Sequence, residues 1–126
     1  MHYEVLRSLN AGLPALNVPK RAKLLVVMLV AFVSHAAEIT LYGVALYALV
    51  TWLGAGTLAG NSDITIWSYL YFSAETYTSL GFGDITPIGP FRLMAGVEAL
   101  NGLLLVGWSA SFTYISMERF WQPEKP

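Results

Sequence analysis

The chain contains no cysteine, which excludes disulfides, thiolate metal sites and cysteine nucleophiles. Charge is scarce as well. Asp, Glu, Lys and Arg make up 12% of the residues, against about 25% in soluble domains. The formal net charge is −1, so nothing suggests nucleic acid as a partner. No nucleophile–base pair or catalytic metal set appears in the sequence, which argues against an enzyme. The opening segment MHYEVLRSLNAGLPALNVPKRAK has no apolar stretch behind a basic start and does not read as a secretory signal.

What is present is apolar. Hydrophobic residues are 56% of the chain and the mean hydropathy is +0.55. The 126 residues suffice for one domain. One apolar run goes from Leu24 to Leu53, with His35 and Glu38 its only ionisable groups. As a helix it would be about 45 Å long against a hydrocarbon core of ~30 Å, enough for one span and too short for two. A second run extends from Phe91 to Met117, with Arg92 and Glu98 near its start. Arg7, Lys20, Arg21 and Lys23 precede the first run, Arg119 and Lys125 follow the second, and only Arg92 lies between them. The positive-inside rule then predicts a multi-pass protein with both termini in the cytoplasm.

The connector from Gly54 to Pro90 is the unusual part. GAGTLAGNSD reads as a turn-rich surface loop ending in helix N-cap types, Asn61, Ser62 and Asp63. ITIWSYLYFSAETYT follows, an aromatic-rich stretch too short to cross a bilayer. It predicts a re-entrant helix, tolerated at membrane depth only where protein or water surrounds it. The chain must then return by a non-helical route, SLGFGDITP. Gly81 and Gly83 are spaced by two. If alternate residues of a strand take left-handed dihedrals, which glycine does at almost no steric cost, successive carbonyls turn to the same side. Stacked carbonyls can replace the hydration shell of a cation. One strand cannot surround an ion, so several copies must share an axis, and a cyclic homo-oligomer is the economical arrangement.

These residues carry a family resemblance. TSLGFGD resembles the T-V-G-Y-G-D filter of potassium channels, and GFGD is similar to variants in two-pore-domain channels. Helix, re-entrant helix, filter, helix is the order of the two-transmembrane, pore-loop potassium channels of prokaryotic type, and the resemblance spans about Leu24 to Met117. It implies an all-α membrane protein assembled as a homotetramer. Residues 1–23 would be a cytoplasmic segment suited to the membrane surface, 24–53 the outer helix and 54–62 a surface loop. Residues 64–78 would be the pore helix, 79–84 the filter, 91–117 the inner helix and 118–126 a short cytoplasmic tail. The implied function is passive potassium conduction in a bacterial inner (plasma) membrane, with no cofactor and with potassium, lipid and its own copies as partners. A non-selective monovalent cation channel of the same fold, or a non-conducting membrane interaction subunit, are the alternatives.

Carried over residue by residue, Ser79 takes the place of a threonine whose hydroxyl serves the innermost ion site. Leu80, Gly81, Phe82 and Gly83 supply carbonyls, so potassium is expected along Ser79 to Gly83. Glu75 matches a glutamate that bonds to the aspartate matching Asp84, and Tyr71 and Phe72 take aromatic places that brace the filter. Gly102 falls where the family often has a hinge, and a packing glycine is the other reading. Leu103, Val106, Ala110 and Tyr114 follow as cavity-lining positions. Three departures stand out: Ser79 loses a methyl, Leu80 is bulkier than valine, and Phe82 lacks a tyrosine hydroxyl.

His35 and Glu38 lie three apart on one helical face, with Tyr42 on the same side. Polar groups inside a membrane helix mark function or inter-helix bonding. Two antiparallel spans counted from their outer ends bring together residues whose numbers sum to about 144. That register sets His35 level with Ser109 to Ser111, and Glu38 level with Trp108, whose indole it is expected to accept.

Overall fold

The computed structural model describes residues 1–121. Their order is α1 (His2–Gly12), a single 3-10 turn (Leu13–Ala15), α2 (Lys20–Leu53), β1 (Thr57–Gly60), α3 (Ile66–Tyr77), β2 (Ile85–Ile88) and α4 (Arg92–Trp121). Residues 122–126, most of the expected tail, lie outside the described residues, and 118–121 continue α4. Two helices, α2 and α4, are long and apolar enough to cross a membrane. The chain divides into two compact units, one of Met1–His35 with the chain from Gly107 onward, the other of Ala36–Val106.

In the first unit, α1 turns His2 and Leu6 inward, both buried. The His2 ring lies between two hydroxyls, with Nδ1 3.2 Å from Ser34 Oγ and Nε2 2.9 Å from Ser109 Oγ. Trp108 packs beside it, 5.8 Å between ring centroids. The segment expected at the membrane surface is therefore anchored at its first turn by polar side chains of both long helices. Gly12 and Pro14 end α1 in the 3-10 turn, and α2 restarts where the Pro19 carbonyl accepts from the Ala22 and Lys23 amides.

The second unit holds α3 among the outer part of α2, the first turns of α4 and a two-stranded ribbon. Gly54, at φ +60°, ends α2 in the left-handed conformation that glycine adopts freely. The loop expected after it contains β1, which pairs antiparallel with β2 from Thr57 opposite Ile88 to Gly60 opposite Ile85. Pro87 donates no ladder bond, which a two-stranded ribbon tolerates because each strand has a free edge. The helix α3 starts later than the acidic cap cluster suggested. Thr65 and Ser68 form its capping box, the Thr65 amide donating to Ser68 Oγ at 3.0 Å. The core is Leu46, Leu58, Tyr69, Phe72, Phe91 and Ala95, with Phe72 edge-on to Phe91. Gly43 lets α2 approach closely, since a Cβ there would stand 3.1 Å from the Leu70 Cα.

Candidate functional site

The chain from Thr78 to Asp84 leaves the end of α3 and enters β2. Thr78 closes the helix, its hydroxyl donating to the Ala74 carbonyl at 2.6 Å. Beyond it the backbone alternates. Ser79, Gly81 and Gly83 have φ of 60°, 56° and 81°, and Leu80 and Phe82 between them do not share this sign. This is the every-other-residue pattern that the glycine spacing predicted. Glycine takes it freely, whereas a side chain in this region costs roughly 1–2 kcal/mol, so Ser79 is the one strained position. Two amides tie the strand back to α3: Ser79 N–H donates to the Thr76 carbonyl and Gly81 N–H to the Glu75 carbonyl. All five residues from Ser79 to Gly83 are exposed in the single chain, and Leu80 and Phe82 present apolar side chains beside the strand.

Support at the outer end comes from Tyr71. Its hydroxyl donates to Asp84 Oδ2 at 3.0 Å. Tyr71 thus holds Asp84, the carboxyl that the resemblance paired with Glu75. Glu75 is buried, and its Oε1 has no hydrogen-bond partner among the described residues. Phe72 packs in the core, edge-on to Phe91.

Support at the inner end comes from Tyr77, whose ring is 1% exposed. Its hydroxyl donates to Glu38 Oε2 at 2.5 Å. Glu38 was expected to face Trp108; Tyr77 of α3, which the two-helix register did not consider, supplies a donor to it. His35 does meet the expected serine, with Nε2 2.9 Å from Ser109 Oγ. Tyr42 and Asn101 obey the same register, the Asn101 amide donating to the Tyr42 hydroxyl at 2.9 Å. One turn before Tyr77, Ser73 Oγ lies 2.5 Å from Glu98 Oε1 and 2.8 Å from the Ile39 carbonyl. Ser73, Tyr77 and Asn101 were not singled out for these roles, although polar residues three or four apart on apolar helices are the signal that finds them.

Gly102 is placed against this inner end. A Cβ built on it would stand 2.0 Å from the Tyr77 carbonyl oxygen and 2.8 Å from its carbon. Between the two open readings of this glycine, close packing is the one the geometry requires. Leu103 and Val106 beyond it are exposed, as are Ala110 and Tyr114 in the other unit.

An ion channel family model matches residues 24–119. The chain therefore belongs to that family, the two-transmembrane, pore-loop potassium channels. A 61-residue stretch is also 36% identical to Protein LctB of Geobacillus stearothermophilus, covering 48% of this chain and 46% of that protein. The alignment thus spans less than half the length of this relative. No solved structure matches.

Proposed function

We propose that the protein is a passive, potassium-selective channel in which four copies surround one axis. Each copy contributes a re-entrant helix, α3, and one filter strand, Ser79 to Gly83. The observation that carries this reading is the alternation of positive φ at Ser79, Gly81 and Gly83. It is the backbone state in which consecutive carbonyls can share one side, and carbonyl oxygens are the ligands that replace potassium's hydration shell. The exposed Leu80 and Phe82, at 59% and 69%, favour an assembly, because apolar surface beside an ion path needs cover from neighbouring subunits. Leu103, Val106, Ala110 and Tyr114 would face the inner cavity. The membrane is the bacterial inner (plasma) membrane, with both termini cytoplasmic, and transport follows the electrochemical gradient with no chemical step.

Reconstitution in liposomes tests this. Potassium flux should exceed sodium flux, and thallium in crystals should give stacked anomalous peaks on a four-fold axis along Ser79 to Gly83. Equal fluxes would favour the non-selective cation channel, for which the missing threonine methyl at Ser79 is the motive. No flux, with the chain bound to a different protein, would favour the interaction subunit.

A further inference from the structure

We propose that Glu38, on the outer helix, is a positioning residue for the filter and acts through Tyr77. This rests on the reading of Ser79 to Gly83 as the filter. Tyr77 stands two residues before Ser79, is buried, and is held at both ends. Its hydroxyl donates to Glu38 Oε2 at 2.5 Å. Its carbonyl faces Gly102 of α4 so closely that no side chain fits there. The ring packs near Tyr42, 6.3 Å between centroids, and the Tyr42 hydroxyl accepts from Asn101. The residue that launches the filter is therefore gripped by the outer helix at its tip and by the inner helix at its backbone.

Such a grip has a specific consequence. The two-residue link from Tyr77 to Ser79 leaves little length for a displacement to relax, since Ser79 N–H is bonded back to the Thr76 carbonyl within the same turn. A shift of the Tyr77 ring along the Glu38 bond is passed to the Ser79 carbonyl and hydroxyl. A shift of the inner helix at Gly102 is passed to the same place through the Tyr77 carbonyl. Glu38 thereby sets the rest position from which the inner helix acts on the innermost ion site. The acidic side chain in the outer helix, remote in sequence from the filter, is there to accept one hydroxyl.

The test uses the full-length tetramer with Tyr77→Phe, Glu38→Met, the double variant and Glu38→Gln, which keeps an acceptor oxygen. Two quantities are read: amide hydrogen exchange of the peptide covering Thr78 to Asp84 in detergent, and the potassium-to-sodium flux ratio in liposomes. Tyr77→Phe and Glu38→Met should each raise filter exchange and lower the flux ratio by about fivefold, what one such bond is worth. The double variant should not exceed Glu38→Met, because the contact that Tyr77→Phe removes is already lost there. Glu38→Gln should stay within about twofold of the parent, its amide oxygen still accepting. Filter exchange and flux ratio unchanged in both Tyr77→Phe and Glu38→Met overturn the proposal, as do additive effects in the double variant. If Glu38→Met does not assemble, Tyr77→Phe, which removes a single oxygen, decides. If the parent carries no flux, the proposed function falls, and the exchange measurement alone decides the positioning role.

Discussion

Replacing Gly102 with alanine adds one methyl group where the structure leaves no room for it. The new Cβ would stand 2.0 Å from the Tyr77 carbonyl oxygen, 2.8 Å from its carbon and 2.9 Å from its Cγ, whereas ordinary contacts begin at 3.4 Å. The obstacle is mainly a peptide group in the last turn of α3, so no flexible side-chain tip can swing away. Overpacking of this kind costs ~1–3 kcal/mol, and a backbone obstacle belongs at the upper end. Alanine returns ~1 kcal/mol of helix propensity relative to glycine. The net loss should be about 2 kcal/mol per subunit. Gly96, on the same helix, is the control: a Cβ there meets nothing within 4 Å, so Gly96→Ala should gain up to ~1 kcal/mol.

Thermal unfolding in one detergent, with the two variants and the parent side by side, reads the difference. Gly102→Ala should melt below the parent and Gly96→Ala at or above it. The displaced Tyr77 carbonyl should also lower the potassium-to-sodium flux ratio in Gly102→Ala alone. If Gly102→Ala were as stable as Gly96→Ala, the packing contact would not exist, and the position would revert to a free hinge.

Three further outcomes are expected. Gly83→Ala should abolish selective conduction yet leave assembly intact, because its Cβ meets nothing within 4 Å while φ stands at +81°, a conformation costing a side chain ~1–2 kcal/mol; potassium selectivity retained in flux assays would refute the filter assignment. Glu75→Gln should preserve conduction and change single-channel open times, since Glu75 is buried and its backbone carbonyl accepts from the Gly81 amide; open times identical to the parent would contradict it. Tyr114→Cys should render open-channel current sensitive to cytoplasmic thiol reagents, and insensitivity would remove Tyr114 from the cavity lining.

The two spans were legible because length and hydropathy alone specify a membrane helix. Their ends were not, because hydropathy stops at the first charge and backbone hydrogen bonding does not. The α2 helix takes in Lys20, Arg21 and Lys23, since the Pro19 carbonyl already accepts from Ala22 and Lys23. The α4 helix likewise runs past Met117 to Trp121. The ribbon of β1 and β2 left no periodic trace, being four residues a strand with glycine and proline among them. It nevertheless matters for the site, because Gly60 opposite Ile85 fixes the chain one residue after Asp84. The positive φ at Ser79, Gly81 and Gly83, by contrast, was readable, since only a few residue types occupy left-handed backbone without strain and two of the three positions are glycine.

The buried polar residues were visible one by one, yet their partners were not all deducible, and the reason is geometric. A register rule for two antiparallel helices correctly gave His35 with Ser109 and left Tyr42 level with Asn101, because each of those pairs joins the two long helices directly. It did not find the Tyr77 donor of Glu38, because α3, a third helix, brings that tyrosine to it. The same helix brings Ser73 to Glu98 and to the Ile39 carbonyl. Apolar side chains packed in lipid have no hydrophobic drive to choose one rotation of a helix over another. Hydrogen bonds do choose, because an unmade one costs the group its desolvation. The described residues of α3 spend Tyr71, Ser73 and Tyr77 on such bonds, directed in turn at Asp84, Glu98 and Glu38. Those three anchors, at Asp84, on α4 and on α2, fix the rotation and position of the short helix from which the strand Ser79 to Gly83 departs.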